Sequence, residues 1–76
     1  MAYNQYDKYG QDSQRQEVGT TIVVFREPYQ TIFGVSRSFE NTYFHLSTSG
    51  VAVVRDKLGN NKIAYPEGIW ATIETF

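Results

Sequence analysis

Thr20-Thr21-Ile22-Val23-Val24-Phe25-Arg26 is the stretch that decides the fold class of this chain. Five β-branched residues followed by a phenylalanine favour a strand, because such side chains lose less freedom on a pleated surface than in a helix. Glu27-Pro28 punctuates the run, since proline has no N–H to give a ladder. Beyond it, Tyr29, Thr31, Phe33 and Val35 alternate with Gln30, Ile32 and Gly34, which predicts a second strand over Tyr29 to Ser36. Gly34 inside that strand reads as a site of curvature. Arg37 to Asn41 is read as a polar connection carrying Phe39, and Thr42 to Thr48 as the next strand.

The same pattern continues to the end of the chain. Ser49-Gly50 marks a turn, Val51 to Arg55 a strand, and Asp56 to Asn61 a hairpin loop whose glycine and asparagines tolerate positive φ. Lys62 to Tyr65 is expected to pair back. Pro66-Glu67-Gly68 turns the chain once more, and Ile69 to Phe76 is a final strand rather than a helix, being rich in β-branched residues and lacking a cap. Parallel pairing needs helical crossovers, and no segment is long enough to be one. The expected fold is therefore all-β: a small antiparallel barrel or sandwich of five to six short strands, SH3-like or OB-like.

Upstream of Gly19 the composition changes. Residues 1–18 hold Tyr3, Tyr6, Tyr9, four glutamines and five charges, with Met1, Ala2 and Val18 as the only aliphatic side chains. Such a stretch buries too little apolar surface to offset its ordering entropy, so it is expected to be a flexible polar arm, disordered alone. The domain then spans residues 19–76. At 58 residues it is small enough that help from a neighbour, a partner or the arm is expected on thermodynamic grounds.

Composition excludes several functions. The 76 residues include no cysteine and one histidine, so neither a disulfide framework nor a thiolate metal site can form. His45 has no cysteine and no Gly-x-Ser-x-Gly elbow to work with, and no phosphate-cradling glycine loop occurs. Asp56, Glu67 and Glu74 fall at turns or on an outer strand face. No catalytic residue, cofactor, metal or small-molecule substrate is expected, and the chain is read as a non-enzyme. No apolar run exceeds four residues, where a membrane-spanning helix needs about 20. Met1 to Gln16 lack the basic and then apolar order of a secretory leader. The expected location is soluble and cytoplasmic, without membrane contact.

What remains is binding. Aromatic residues make up 16% of the chain against a net charge of −1, a balance closer to protein interfaces than to nucleic-acid binders. The expected function is a protein-binding or assembly module: a small inhibitor of a larger protein, or a minor structural component docked through its arm. Its partner would be another protein or its own copies. Tyr3, Tyr6, Tyr9, Tyr65, Trp70 and Phe76 are the candidate partner-binding residues.

The alternative is a small barrel that binds single-stranded nucleic acid, stacking bases on aromatics beside cations. Its candidates are Arg26, Phe33, Arg37, Tyr43, Phe44, His45 and Arg55. Phe33-Gly34-Val35 with Tyr43-Phe44-His45-Leu46-Ser47 faintly resembles the paired aromatic motifs of cold-shock domains. That resemblance implies an OB barrel binding single-stranded RNA or DNA. The chain departs from the family pattern where Phe44 and His45 are adjacent and so face opposite sides of a strand. It also lacks the family's lysine-tryptophan-phenylalanine first strand.

Overall fold

A strand needs a partner on at least one side, and the apolar run at Ile22 to Phe25 finds one on both. In the computed structural model, which describes residues 17–76, it lies in strand β1 (Gly19–Phe25). Strand β1 pairs antiparallel with β2 (Ser36–Leu46) and with β5 (Trp70–Thr75). Strands β3 (Ala52–Asp56) and β4 (Asn61–Tyr65) extend the sheet from the far end of β2. The order is β4-β3-β2-β1-β5, a five-stranded antiparallel sheet that is not closed. The expected arm with Tyr3, Tyr6 and Tyr9 falls on residues 1–16, outside the described residues.

Strand β2 is the hinge of the architecture. Its first half, Ser36 to Phe39, pairs with β1, and its second half, Thr42 to Leu46, pairs with β3. Between them the register slips by one residue, and Asn41 takes a left-handed φ of 56°. One extra residue in a strand bends it and sharpens its twist. The bulge also resets the inward parity, so that Phe39, Thr42 and Phe44 are all buried. Thr42 Oγ1 donates to the Phe39 carbonyl at 2.9 Å, which satisfies the hydroxyl that the bend buries. The bend brings distant strands into contact: the Phe25 ring of β1 meets the Tyr65 ring of β4 edge-on at 5.1 Å.

The core lies on one face of this bent sheet. Val23, Phe25, Phe39, Phe44, Ala52, Val54, Tyr65 and Ile73 are buried, with Leu46, Ile63, Ile69 and Trp70 packed at their margin. A second register shift, opposite Val24 and Phe25, leaves Ala71 as the extra residue of β5. That bulge answers a conflict in the sequence, where Trp70 and Ile73 have opposite parity. Trp70 comes to lie opposite Phe25 while Ile73 lies opposite Val23, so both pack with the core. At the other end of β5, Thr21 and Thr75 share a hydroxyl hydrogen bond of 2.8 Å.

Three sequence expectations are corrected. Tyr29 to Ser36 is not a strand: Glu27–Tyr29 forms a 3₁₀ turn and Gln30–Phe33 a single α turn, α1. Pro28 opens this segment with a φ already suited to it, and Gly34 ends it at φ 92° and ψ 177°, an extended positive-φ conformation open essentially to glycine alone. Gly34 is therefore a helix terminator, not a point of strand curvature. Arg37 to Asn41, in turn, is not a connection but part of the eleven-residue β2. With Phe39 as its only large apolar residue, its strand character comes from pairing with β1.

The β3–β4 loop shows how the sequence closes a hairpin. Asp56 Oδ1 accepts from the backbone N–H groups of Leu58 and Asn60, both at 2.9 Å. The Asn60 N–H is the chief reason its carboxyl titrates below the usual aspartate range; the Leu58 N–H, the Asn60 side chain and Lys62 add to the effect. A depressed carboxyl contributes stability above the unfolded aspartate range, and that contribution is lost as pH falls through the folded value. The amide resonances of Leu58 and Asn60 are therefore expected to move together on acidification, with a midpoint below the ordinary aspartate range. In Asp56→Asn the pH-dependent movement should vanish. A midpoint at or above the ordinary aspartate value would contradict the geometry.

Candidate interaction surface

The connection between β1 and β2 is held tightly at its base and left bare at its tip. Gln30 Nε2 donates to the Phe25 carbonyl at 2.9 Å, and the Phe25 N–H donates to the Val35 carbonyl at 3.0 Å. These bonds fold α1 back onto the end of β1. Phe33 then packs one side of its ring on Phe25 at 5.1 Å, with Tyr29 and Tyr65 at 6.4 and 6.2 Å. Aromatic pairs at such separations favour tilted and edge-on arrangements, as here.

The other side of this cluster faces water. Phe33 remains 40% exposed, while Ile32 and Val35 are 70% and 64% exposed. Three large apolar side chains within four consecutive residues are therefore left partly or largely in solvent. Arg26 and Arg37 are exposed at the two ends of the connection, and the Arg37 guanidinium stacks 4.8 Å from the Phe39 ring centre. Isolated apolar residues on a surface are ordinary. These three fall within four consecutive residues, and Phe33 among them rests on a packed aromatic base.

The sequence-derived candidates are distributed unevenly around this patch. Tyr65 is buried beneath it as a core residue, in ring contact with Phe25 and Phe33. Trp70 is half-buried, and its indole Nε1 donates to the Gly50 carbonyl at 3.1 Å, tying β5 to the β2–β3 turn. Phe76 is 72% exposed, but its backbone pairs with Thr20, at the opposite end of β1. Tyr3, Tyr6 and Tyr9 lie outside the described residues.

The nucleic-acid candidates divide into three groups. Arg26, Phe33 and Arg37 belong to the β1–β2 connection or border it. Phe44 is in the core. Tyr43, His45 and Arg55 share the outer face of β2 and β3, with Tyr43 directly opposite Arg55. Arg55 Nε donates to Asn61 Oδ1 at 2.9 Å. Partial burial, and then the charge of Arg55, hold His45 below its usual pKa, so this face favours a neutral imidazole.

Ile32 and Val35 were absent from the sequence-derived candidates. The pattern that reveals them is Pro28 followed six residues later by Gly34: a short helical turn between two strands. A turn of that length has no second layer to cover its outward side chains. Among the described residues, no helix is long and apolar enough to cross a membrane, and no three His, Cys, Asp or Glu side chains cluster as a metal would require. Comparison with protein-family models, curated proteins and solved structures finds no match for this chain.

Proposed function

We propose that this chain is a non-enzymatic protein-binding module whose contact surface is the apolar tip of the β1–β2 connection. The observation that carries the reading is the exposure of Ile32, Phe33 and Val35 within four consecutive residues, with Phe33 packed on an aromatic base. Surfaces of this kind bind by desolvation, with one or two large side chains contributing most of the affinity. Phe33 suits that role because its packing on Phe25 and Tyr65 already restricts its ring, so little side-chain entropy remains to be lost on binding. Arg26 and Arg37 supply the polar rim. A small inhibitor of a larger protein and a minor structural component are both consistent with such a surface.

The strand order, and a bulged β2 that serves both halves of the sheet, support reading the domain as a strongly bent, SH3-like small barrel open between β4 and β5. The single-strand nucleic-acid alternative has less behind it. Its seven candidate residues do not form one platform, and Phe44 is withdrawn into the core.

The absence of cysteine makes a direct test available. A photo-cross-linker attached to Val35→Cys, activated in an extract of the native source, is expected to give a discrete protein adduct resistant to nuclease. Adding Ile32→Asp should reduce that adduct at least tenfold, since a charge in a desolvated contact costs more than about 1.4 kcal/mol. The same probe on Ser38→Cys, on the opposite face, should not give it. Equal adducts from both positions, or a nuclease-sensitive one, would overturn the reading.

A further inference from the structure

Resting on the surface proposed above, we infer that the β1–β2 connection selects an acidic partner: a protein segment that lays an apolar side chain beside Phe33 and Val35 and sets a carboxylate on Arg37.

Strand pairing puts these residues side by side. Val23 lies opposite Arg37, and the bond from the Phe25 N–H to the Val35 carbonyl carries that register one step further, so Val35 stands opposite Phe25. Residues directly opposite share a face, as do residues two apart on a strand. Val35, Arg37 and Phe39 therefore form one row on the core-bearing face, with about 7 Å between successive members. Only Phe39 of this row is buried; Arg37 and Val35 are exposed. Strand β3 pairs with β2 only from Thr42 onward, so the row emerges from the bent sheet as it runs back toward Gly34. The Phe33 ring, 5.1 Å from that of Phe25, borders its outer end.

The cation in this row is held in place but faces no carboxylate. The Arg37 guanidinium lies 4.8 Å from the Phe39 ring centre, and across the sheet its neighbours are Val23 and then Ile73, both apolar and buried. Glu74 lies opposite Ile22, on the other face, and Glu40 accepts from Thr20 Oγ1. Glu27 is offset by its neighbour Arg26, so the stretch from Arg26 to Arg37, with two arginines and one carboxylate, keeps a surplus of one positive charge. A guanidinium stacked on a ring keeps its N–H fork for a bidentate bond to a carboxylate. Beside a desolvated apolar contact, such a charge favours an acidic partner and penalises a basic one.

The test selects random dodecapeptides displayed on phage against the full chain, keeping those that fail to bind the Val35→Ser variant. The retained peptides are expected to combine a large apolar residue with Asp or Glu close by. A synthetic copy of one should bind Arg37→Gln at least about fivefold more weakly, with Arg37→Lys between the two because it keeps the charge and loses the fork. Selection against Arg37→Glu should enrich Lys and Arg instead. Both positions are exposed, so unchanged amide spectra serve to show that each variant is folded. Retained peptides without an acidic bias, or a bias that persists against Arg37→Glu, overturn the inference while leaving the binding surface in place. Displacement of the acidic peptides by oligothymidylate at equal concentration also overturns it, for then any polyanion serves. If every enriched peptide binds Val35→Ser as well as it binds the parent chain, the surface itself is misplaced and the inference falls with it.

Discussion

Phe25→Ala should remove most of the stability of this domain and leave it largely unfolded near physiological temperature. The side chain is 1% exposed and the largest of the fully buried ones. Its ring packs on Phe33 of the β1–β2 connection and edge-on against Tyr65 of β4. Truncating a buried phenylalanine costs about 3–5 kcal/mol, because the transfer free energy is lost and the cavity closes incompletely. A domain of about sixty residues has only about 3–9 kcal/mol in total. The midpoint of thermal unfolding is therefore expected to fall by at least about 12 °C, at about 4 °C or more per kcal/mol for a domain of this size, or the transition to disappear. Phe76→Ala is the matched control. That side chain is 72% exposed, and its removal should change stability by less than about 0.5 kcal/mol. Similar losses from the two variants would show that Phe25 does not join the two halves of the sheet.

The Phe25 environment also shows which parts of the fold were legible in the sequence. Thr21, Val23 and Phe25 alternate cleanly, as do Ala52 and Val54, and all five are buried. Period-two patterning is a direct record of burial on one face, so these strands could be read without knowing their partners. The Asp56 to Asn60 loop was legible for a different reason, since its turn chemistry is local and complete within a few residues.

The segment from Glu27 to Asn41 is harder to read, because an alternating pattern competes with local turn chemistry in its first half and strand pairing decides its second. Tyr29, Thr31, Phe33 and Val35 alternate as a strand would, yet Pro28 and Gly34 bracket a helical turn, and no neighbouring strand is placed to pair with it. Ser36 to Phe39 looks polar because its outward side chains face solvent, and only pairing with β1 makes it a strand. The bulge at Asn41 then shifts the parity, so no single alternation describes β2. The same alternation hides the exposed side chains. An alternating Tyr29 to Val35 gives no sign that Ile32 is exposed, whereas Tyr65 and Trp70 stand out by residue type alone. The structure places both of those with the core or at its margin.

Gly50 carries the second large effect, and here the contributions can be separated. It sits at φ 89° in the β2–β3 turn, where its N–H donates to the Ser47 carbonyl at 3.0 Å and its own carbonyl accepts from Trp70 Nε1. A Cβ added at this position would lie 2.9 Å from the Glu67 Cβ, with the Glu67 carboxylate at 3.0 Å. Gly50→Ala therefore combines a backbone cost of about 1–2 kcal/mol for a left-handed residue with an overpacking cost of about 1–3 kcal/mol. Relief of the clash requires the turn and the Pro66 to Gly68 segment to separate. That movement weakens the Trp70 bond, which holds β5 to the same turn. Gly68→Ala isolates the first contribution, since Gly68 has φ 100° and nothing within 4 Å of an added Cβ. Denaturant unfolding of the two variants should place Gly50→Ala below Gly68→Ala by about 1–3 kcal/mol. Trp70→Phe in the Gly50→Ala background should cost less than Trp70→Phe alone, because the bond it removes is already weakened. Equal destabilisation by the two alanines would mean that Glu67 yields freely and that the turn is not clamped between β5 and the Pro66 segment. Additive effects of Gly50→Ala and Trp70→Phe would mean that the indole and the turn are held independently.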